Sequence, residues 1–372
     1  MSYDLEAHPF FEPWTDPESG VTSYILTERV APVQQTFYFT NSSVSPDEKW
    51  LWFYTAFPPG APKTLGVVSL DPDNPMIRHF PGDTFSGASP MVAPEGDAVY
   101  FCLGLSVWRQ PLEGEPKVIC SLDEAWVNKR RLRRLATHLT LSADGRYFLL
   151  DGDIGDHWWV GLGDRKTGEV EILKEFARHH NHAQFSTVDP EIFLIAQDWW
   201  NDPVTGQHFP YDHRIWLMDI NQTIFEPVRP RDWVGHGTAA SHEWWSKDGF
   251  ICWADYKEGA FECDLDDRVA RKVWQGPLCH VHCDPTRRYW CADESPYKWD
   301  EKPCEILFYD RERDEEVKIV SGLPRPSYPR SQYHLDPHPQ FSPQGFWVAY
   351  TTSVRGMVDV ALASVTNVLE RI

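Results

Sequence analysis

The feature that most constrains this chain is a tight turn of the Ser-Pro-Asp-Gly kind that returns seven times, each time before an aromatic, β-branched run. It occurs as Ser45-Pro46-Asp47-Glu48 before WLWFYTAF, Ala93-Pro94-Glu95-Gly96 before AVYFCLG, and Ser142-Ala143-Asp144-Gly145 before RYFLLDGD. It continues as Thr187-Val188-Asp189-Pro190 before EIFLIAQD and Ser246-Lys247-Asp248-Gly249 before FICWADY. The last two are Asp284-Pro285-Thr286-Arg287 before RYWCADE and Ser342-Pro343-Gln344-Gly345 before FWVAYTT. Repeats spaced roughly 40 to 60 residues apart indicate propeller blades or a solenoid. Each unit also offers a later strand-like run: LGVVSL, VWRQPL, WWVGLG, RIWLMD, AFECDL, EILFYD and VDVALASV. Three or four short strands per unit, frequent turns and no convincing amphipathic helix predict an all-β, seven-bladed β-propeller. Val21 to Thr27 would then add the outer strand of the last blade and close the ring, which protects strand edges. Residues 1–372 are expected to form this one domain, because a sandwich with an appendage does not explain seven similar turns.

The 18 Trp, 20 Phe and 14 Tyr supply a large core for such a ring. No stretch approaches the roughly 18 uninterrupted apolar residues of a membrane span. The opening MSYDLEAHPFFEPW lacks the basic-then-apolar order of a signal peptide, so the expectation is a cytoplasmic protein. Eight dispersed cysteines are then expected as reduced thiols. A formal net charge of −20 offers no long-range attraction to nucleic acid or an anionic membrane, and neither is expected as a partner.

The chemistry concentrates between Ser331 and Pro343, S-Q-Y-H-L-D-P-H-P-Q-F-S-P, where Gln332, His334, Asp336 and His338 stand just before a strand-like run. Pro337 and Pro339 exclude a helix there. In an extended chain alternate residues share a face, so His334, Asp336 and His338 are expected to point the same way. Imidazole nitrogens and a carboxylate oxygen suit a divalent cation such as Mn2+, Zn2+ or Fe2+ without any thiolate. A polar loop with no ion is the alternative.

Specific residues beyond the repeats resemble the oligogalacturonate lyase family of metal-dependent β-propeller lyases. They are Thr15-Asp16-Pro17 with Gly20-Val21, Arg214-Ile215-Trp216-Leu217, Ser241-His242-Glu243-Trp244, His280 within Cys279-His280-Val281-His282-Cys283, and Pro337-His338-Pro339-Gln340-Phe341-Ser342. The likeness spans the chain and is stronger in its second half. It implies a lyase that takes the C5 proton of a uronate in a short acidic oligosaccharide, expels the O4 substituent and leaves a 4,5-unsaturated sugar. It implies His242 as the base, a role that suits an imidazole with a reference pKa near 6.5. It further implies Arg214 as a bidentate carboxylate clamp and a divalent cation, Mn2+ foremost, held by His280 with His338, Asp336, Gln332 and His334 as candidates. The family's end loop reads like Q-x-x-H-P-H-P, whereas Asp336 stands here where the first histidine is expected. Either Asp336 takes its place, or the loop has shifted and His334 serves. The divergent first half allows a different uronic acid linkage. A non-catalytic propeller that binds a protein partner is the rival from another class.

Candidates to touch substrate are His182, which the resemblance aligns with a family histidine, Arg130 in the basic run Lys129 to Arg134, and Trp199 beside Trp200. Each has a plainer alternative: a charge run is often a solvated loop, and the tryptophans either stack on sugar rings or cap a blade. For His242 the alternative is packing with Trp244 and Trp245, and for Arg214 an ion pair with Asp212. Glu243 is expected on the opposite strand face in a structural or orienting role. Cys279 and Cys283 are expected to be buried, since thiolates would close the site to substrate.

Overall fold

In the computed structural model, which describes residues 3–85, 89–130, 132–228, 240–294, 299 and 301–372, the seven turns fall at one place in seven sheets. Blade 1 is Val33–Gln35, Trp50–Ala56, Lys63–Ser69 and Ile77–Phe85; blade 2 is Met91–Val92, Ala98–Leu103, Ser106–Pro111 and Lys117–Ser121. Blade 3 is Thr140–Leu141, Tyr147–Asp153, Trp158–Asp164 and Val170–Phe176. Blade 4 is His180–Phe185, Ile192–Gln197, Ile215–Asp219 and Phe225–Pro227, with the small hairpin Trp200–Asn201 and His208–Phe209 inserted in it. Blade 5 is Ala240–Trp245, Ile251–Asp255, Gly259–Cys263 and Ala270–Gln275. Blade 6 is Leu278–Cys283, Tyr289–Glu294, Cys304–Asp310 and Glu315–Leu323. Blade 7 takes Gln340–Phe341, Trp347–Thr352 and Asp359–Ser364 from one end of the sequence and Thr22–Leu26 and Phe11–Thr15 from the other. Thr22–Leu26 pairs antiparallel with Asp359–Ser364, Tyr24 opposite Leu362. The seven-bladed, all-β architecture is therefore the one the repeats predict.

The recurring turn joins the first and second strands of every blade, and its residues show why it recurs. Ser142 Oγ donates to Asp144 Oδ1 at 2.6 Å while accepting the Tyr147 N–H at 3.0 Å. The same pair of bonds recurs around Ser45 and Ser246. Outside blade 4, whose turn ends in Pro190, the turn's fourth residue takes positive φ, 72° at Gly145 and 89° at Gly249, which glycine reaches without strain.

The core lies between blades. Trp52 and Val67 of blade 1 pack with Val99 and Phe101 of blade 2, and Val348 and Tyr350 of blade 7 pack with Ile306 and Phe308 of blade 6. Each such fully buried side chain contributes about 1.5–3 kcal/mol. Gly152 pairs with Trp159, and a Cβ there would fall inside the Trp159 indole, so the aromatic fixes the glycine. Helix is confined to Glu124–Val127, Arg330–Tyr333 and Val365–Leu369 among the described residues, none of them long and apolar enough to cross a membrane. All eight cysteines are buried, and none is in a disulfide.

Candidate active site and metal centre

The innermost strands of blades 4, 5 and 6 each break register at the same level: between Asn181 and Gln184, Ser241 and Trp244, and Leu278 and Val281. A bulge adds a residue that the neighbouring strand does not pair and re-aims the side chains around it. Here it turns His182, His242 and His280 toward the ring's axis. His182 and His242 both take φ 53°, and His334 and His338, entering blade 7, take 52° and 47°. That region costs a residue with a Cβ about 1–2 kcal/mol. Strain of this kind concentrates where function holds it in place.

These rings meet. His242 and His280 have centroids 4.3 Å apart, His280 and His338 4.3 Å, and His334 and His338 4.7 Å. On the other side of the axis His138, just before blade 3, stacks on His182 at 5.0 Å. Tyr38 of blade 1 stands between the two groups, 4.9 Å from His138, 4.8 Å from His338 and 5.8 Å from His280.

His280, His334, Asp336 and His338 each offer a ligand atom, all within 4.8 Å of one another. Asp293 takes both the backbone N–H of His280, at 2.9 Å, and its Nδ1–H, at 2.8 Å. That fixes the tautomer and leaves Nε2 as the donor atom, the usual carboxylate support of a metal-binding histidine. His338 Nε2 is buried and, among the described residues, has no hydrogen-bond partner, as suits a nitrogen that would ligate an ion. Three imidazoles and a carboxylate without thiolate would suit a divalent cation. Both His334 and Asp336 belong to this group, with Nε2 and Oδ2 3.5 Å apart. Simple alternation is not what unites them, because the left-handed backbone at His334 and His338 interrupts the extended chain. Nor is the segment free of helix: Gln332 lies in the short helix Arg330–Tyr333. It is exposed, and its amide donates to the Pro59 carbonyl at 3.1 Å and to the Tyr333 hydroxyl at 3.0 Å, which directs it toward blade 1.

His242 donates Nδ1–H to the Cys279 carbonyl at 2.8 Å, so its lone pair is on Nε2, 3.3 Å from the Tyr256 hydroxyl. Burial first, and then the neighbouring His280, hold its pKa well below the usual imidazole value, which keeps it in the base form. Its packing partners are Tyr38, Phe39, Tyr256 and His280; Trp244 packs instead against His282.

Arg214 is buried and heavily committed. Its Nε and Nη2 form a fork on Glu243 at 3.0 and 3.1 Å, Nη2 also reaches His182 Nδ1 at 2.8 Å, and Nη1 reaches Asp198 at 3.1 Å. Four of five N–H groups are used, and the bidentate edge is closed by Glu243. A bidentate grip on substrate is thus not available to it. Burial opposes its charge, but Glu243 and Asp198 outweigh that and raise its pKa. Asp212 pairs with Arg178. Because His182 accepts at Nδ1 from Arg214, its hydrogen is on Nε2.

The remaining candidates divide. Of the three neighbouring histidines, His179 bonds the Trp199 carbonyl, His180 stacks on Phe176 in the core, and only His182 joins the central group. Arg130 is exposed and folds back toward the Val127 carbonyl. Trp199 is 53% exposed and lines a shallow recess of about 310 Å³ with His208, Pro210 and Tyr211. Trp200, by contrast, packs on Trp158 and Phe209 within the blade 3–4 core. Sequence reading missed Tyr38, His138, Tyr256 and Asp293. It also missed Lys63, which burial pulls down to about 7 and whose charge is felt by His334 and His338. Asp293 had a signal: in repeat register it matches Asp151 and Asp255, at the end of LLD and WAD as it is of CAD.

Two solved structures share this fold over nearly the whole chain. An oligogalacturonate lyase in complex with manganese superposes with a TM-score of 0.77 at 16% identity, over 95% of this chain and 96% of that one. An oligogalacturonate lyase from Vibrio parahaemolyticus gives 0.79 at 16% identity with the same coverage. No protein-family model and no curated protein sequence matches the chain. At that identity the likeness shows a common seven-bladed propeller fold.

Proposed function

We propose that this propeller is a lyase that cleaves short uronate oligosaccharides of the oligogalacturonate kind by β-elimination. The observation that carries the reading is the 4.3 Å separation of the His242 and His280 rings. In a uronate, the C5–H and the carboxylate are on adjacent carbons, so a base and a carboxylate-binding centre must stand side by side. His242 and the group led by His280 do so.

His242 Nε2 takes the C5 proton. The electron pair left on C5 forms the C4=C5 double bond as the C4–O4 bond breaks, and the departing alkoxide takes a proton from solvent water. A divalent cation held by His280, His334, Asp336 and His338 would neutralise the substrate carboxylate and so acidify the C5 proton. We assign Mn2+, on the thiolate-free donor set and on the manganese of one structural neighbour. His182, held by Arg214, presents Nε2–H to substrate oxygens, and Arg214 retains one N–H for the same purpose. Trp199 offers an exposed face for a pyranose ring outside the centre.

The test is ultraviolet absorbance of the unsaturated product during incubation with digalacturonate and a panel of other uronate disaccharides. A rise that a chelator stops and Mn2+ restores is expected, and the panel identifies the sugar and linkage. No rise on any uronate, with folded and metal-loaded protein, would instead favour a protein-interaction propeller.

A further inference from the structure

We infer that Arg134 is a second carboxylate-binding group, which receives the carboxylate of the uronate ring neighbouring the one that reacts. The inference takes its substrate class from the proposed lyase activity, but its evidence is separate. Arg134 lies between blades 2 and 3, where its backbone forms an isolated antiparallel bridge with Asp153. Its side-chain Nε and Nη2 are shielded from solvent and, among the described residues, have no hydrogen-bond partner. Leaving charged donors buried and unbonded is unfavourable by more than the roughly 1–3 kcal/mol of a neutral group, so such a site is prepared for an acceptor that arrives from outside.

The nearby carboxylates do not fill the fork: the buried Asp151 feels the charge of Arg134, which opposes the effect of burial on its pKa, but it gives neither Nε nor Nη2 a hydrogen bond. Asp151 is bound by Thr137 through the backbone N–H at 2.6 Å and the hydroxyl at 2.5 Å. Asp153 faces Arg133 at 3.5 Å with Oδ2, and its Oδ1 has no partner either, so Arg134 and Asp153 pair through their backbones and not through their side chains. Nε and Nη2 are adjacent nitrogens whose hydrogens point the same way, which is the fork that matches the two oxygens of a carboxylate.

Position agrees with chemistry. The charge of Arg134 lowers the pKa of His138, His179 and His182, which puts the guanidinium on the His138–His182 side of the axis. His280 and His338 are across from it, beyond Tyr38. A disaccharide with one carboxylate at the His280 group would extend its other ring away from that group. The chain's net charge of −20 repels a polyanion in general, so local cations must receive it. Arg214 has its fork closed by Glu243; the fork of Arg134 is unbonded among the described residues.

The experiment compares wild type with Arg134→Gln on two disaccharides. One is digalacturonate; the other keeps the reacting uronate and carries a neutral hexose as the second ring. Loss of a charge-assisted fork is expected to raise KM for digalacturonate about 10-fold or more, with kcat within about twofold. The loss on the neutral-ring substrate should be much smaller, so the preference for the acidic second ring collapses. Arg134→Lys, which keeps charge without the fork, should fall between the two. Active wild type with the preference intact in Arg134→Gln overturns the inference. If Arg134→Gln does not fold, as read from its thermal melt, the preference of Arg134→Lys decides in the same way. Should wild type turn over no uronate, the lyase reading fails by itself and binding decides for Arg134. Tryptophan fluorescence titration with digalacturonate must then show weaker binding in the variant, and equal binding, or none to wild type, overturns it.

Discussion

His280 Nδ1 and Asp293 Oδ2 lie 2.8 Å apart with both side chains buried, and the same carboxyl group takes the backbone N–H groups of His280 and His338 at 2.9 and 3.3 Å. One aspartate therefore sets the tautomer of one candidate ligand and the backbone of another. Asp293→Ala should weaken Mn2+ binding about 10- to 100-fold, measured by competition with a chromophoric chelator. Affinity equal to wild type in a folded variant would separate Asp293 from the metal centre.

His242→Ala should abolish turnover while leaving the melting temperature and Mn2+ affinity near wild type, because His242 is outside the four-residue ligand group. Its lowered pKa also fixes the direction of the pH profile. A base that stays unprotonated below the ordinary imidazole value near 6.5 places the acid limb of kcat/KM below that pH, and a cation beside His280 pushes it the same way. An acid limb centred at or above 6.5 would point to another base.

Acid should destabilise the fold before it protonates the carboxylates. His138 and His180 are buried, and burial draws them down to about 3 and about 4 respectively. Both stay neutral in the fold yet accept a proton in the unfolded chain, so the unfolded state binds more protons once pH falls below about 6.5. Stability is full above that pH and is lost between it and the folded values, at about 1.4 kcal/mol per pH unit for each group. Urea titrations of metal-free protein at pH 7 and 5.5 should differ by about 2.5 kcal/mol from these two residues alone.

Glu243→Ala should cost about 3–5 kcal/mol, because it leaves the buried Arg214 charge with Asp198 as its remaining carboxylate. Released from Glu243, Arg214 no longer fixes His182 Nδ1, so kcat should fall as well. Glu243→Gln, which keeps an acceptor, should recover part of the stability. A loss under 1 kcal/mol in the urea midpoint for the alanine variant would show that the fork contributes little.

The blades were legible because their signals are local. A serine and an aspartate two residues apart bond each other and the turn, so Ser142 and Asp144 advertise the same geometry as Ser246 and Asp248. His242, His280 and His338 were legible as chemistry-bearing residues, through likeness to a family and through the Pro-rich loop. What brings them together was not. The bulges depend on the neighbouring strand's register, and the left-handed backbone is carried by histidines where a reader looks for glycine. The fate of Arg214 was set by Glu243, a blade further along the chain. In the basic run, sequence cannot tell Arg130, exposed, from Arg134, whose backbone is tied to Asp153.

Blade 7 is built from both ends of the sequence, and this gives the protein an order of assembly. Thr22–Leu26 leaves the ribosome early and waits, without its sheet partner, until Asp359–Ser364 follows almost the whole length of the chain later. In the interval an incomplete ring presents two open flanks to the crowded cell. The stretch that leads into this blade, ahead of Asp359–Ser364, brings His334, Asp336 and His338 to His280. An ion that needs all four would therefore be captured only after the chain has passed His338, late in the assembly of the ring.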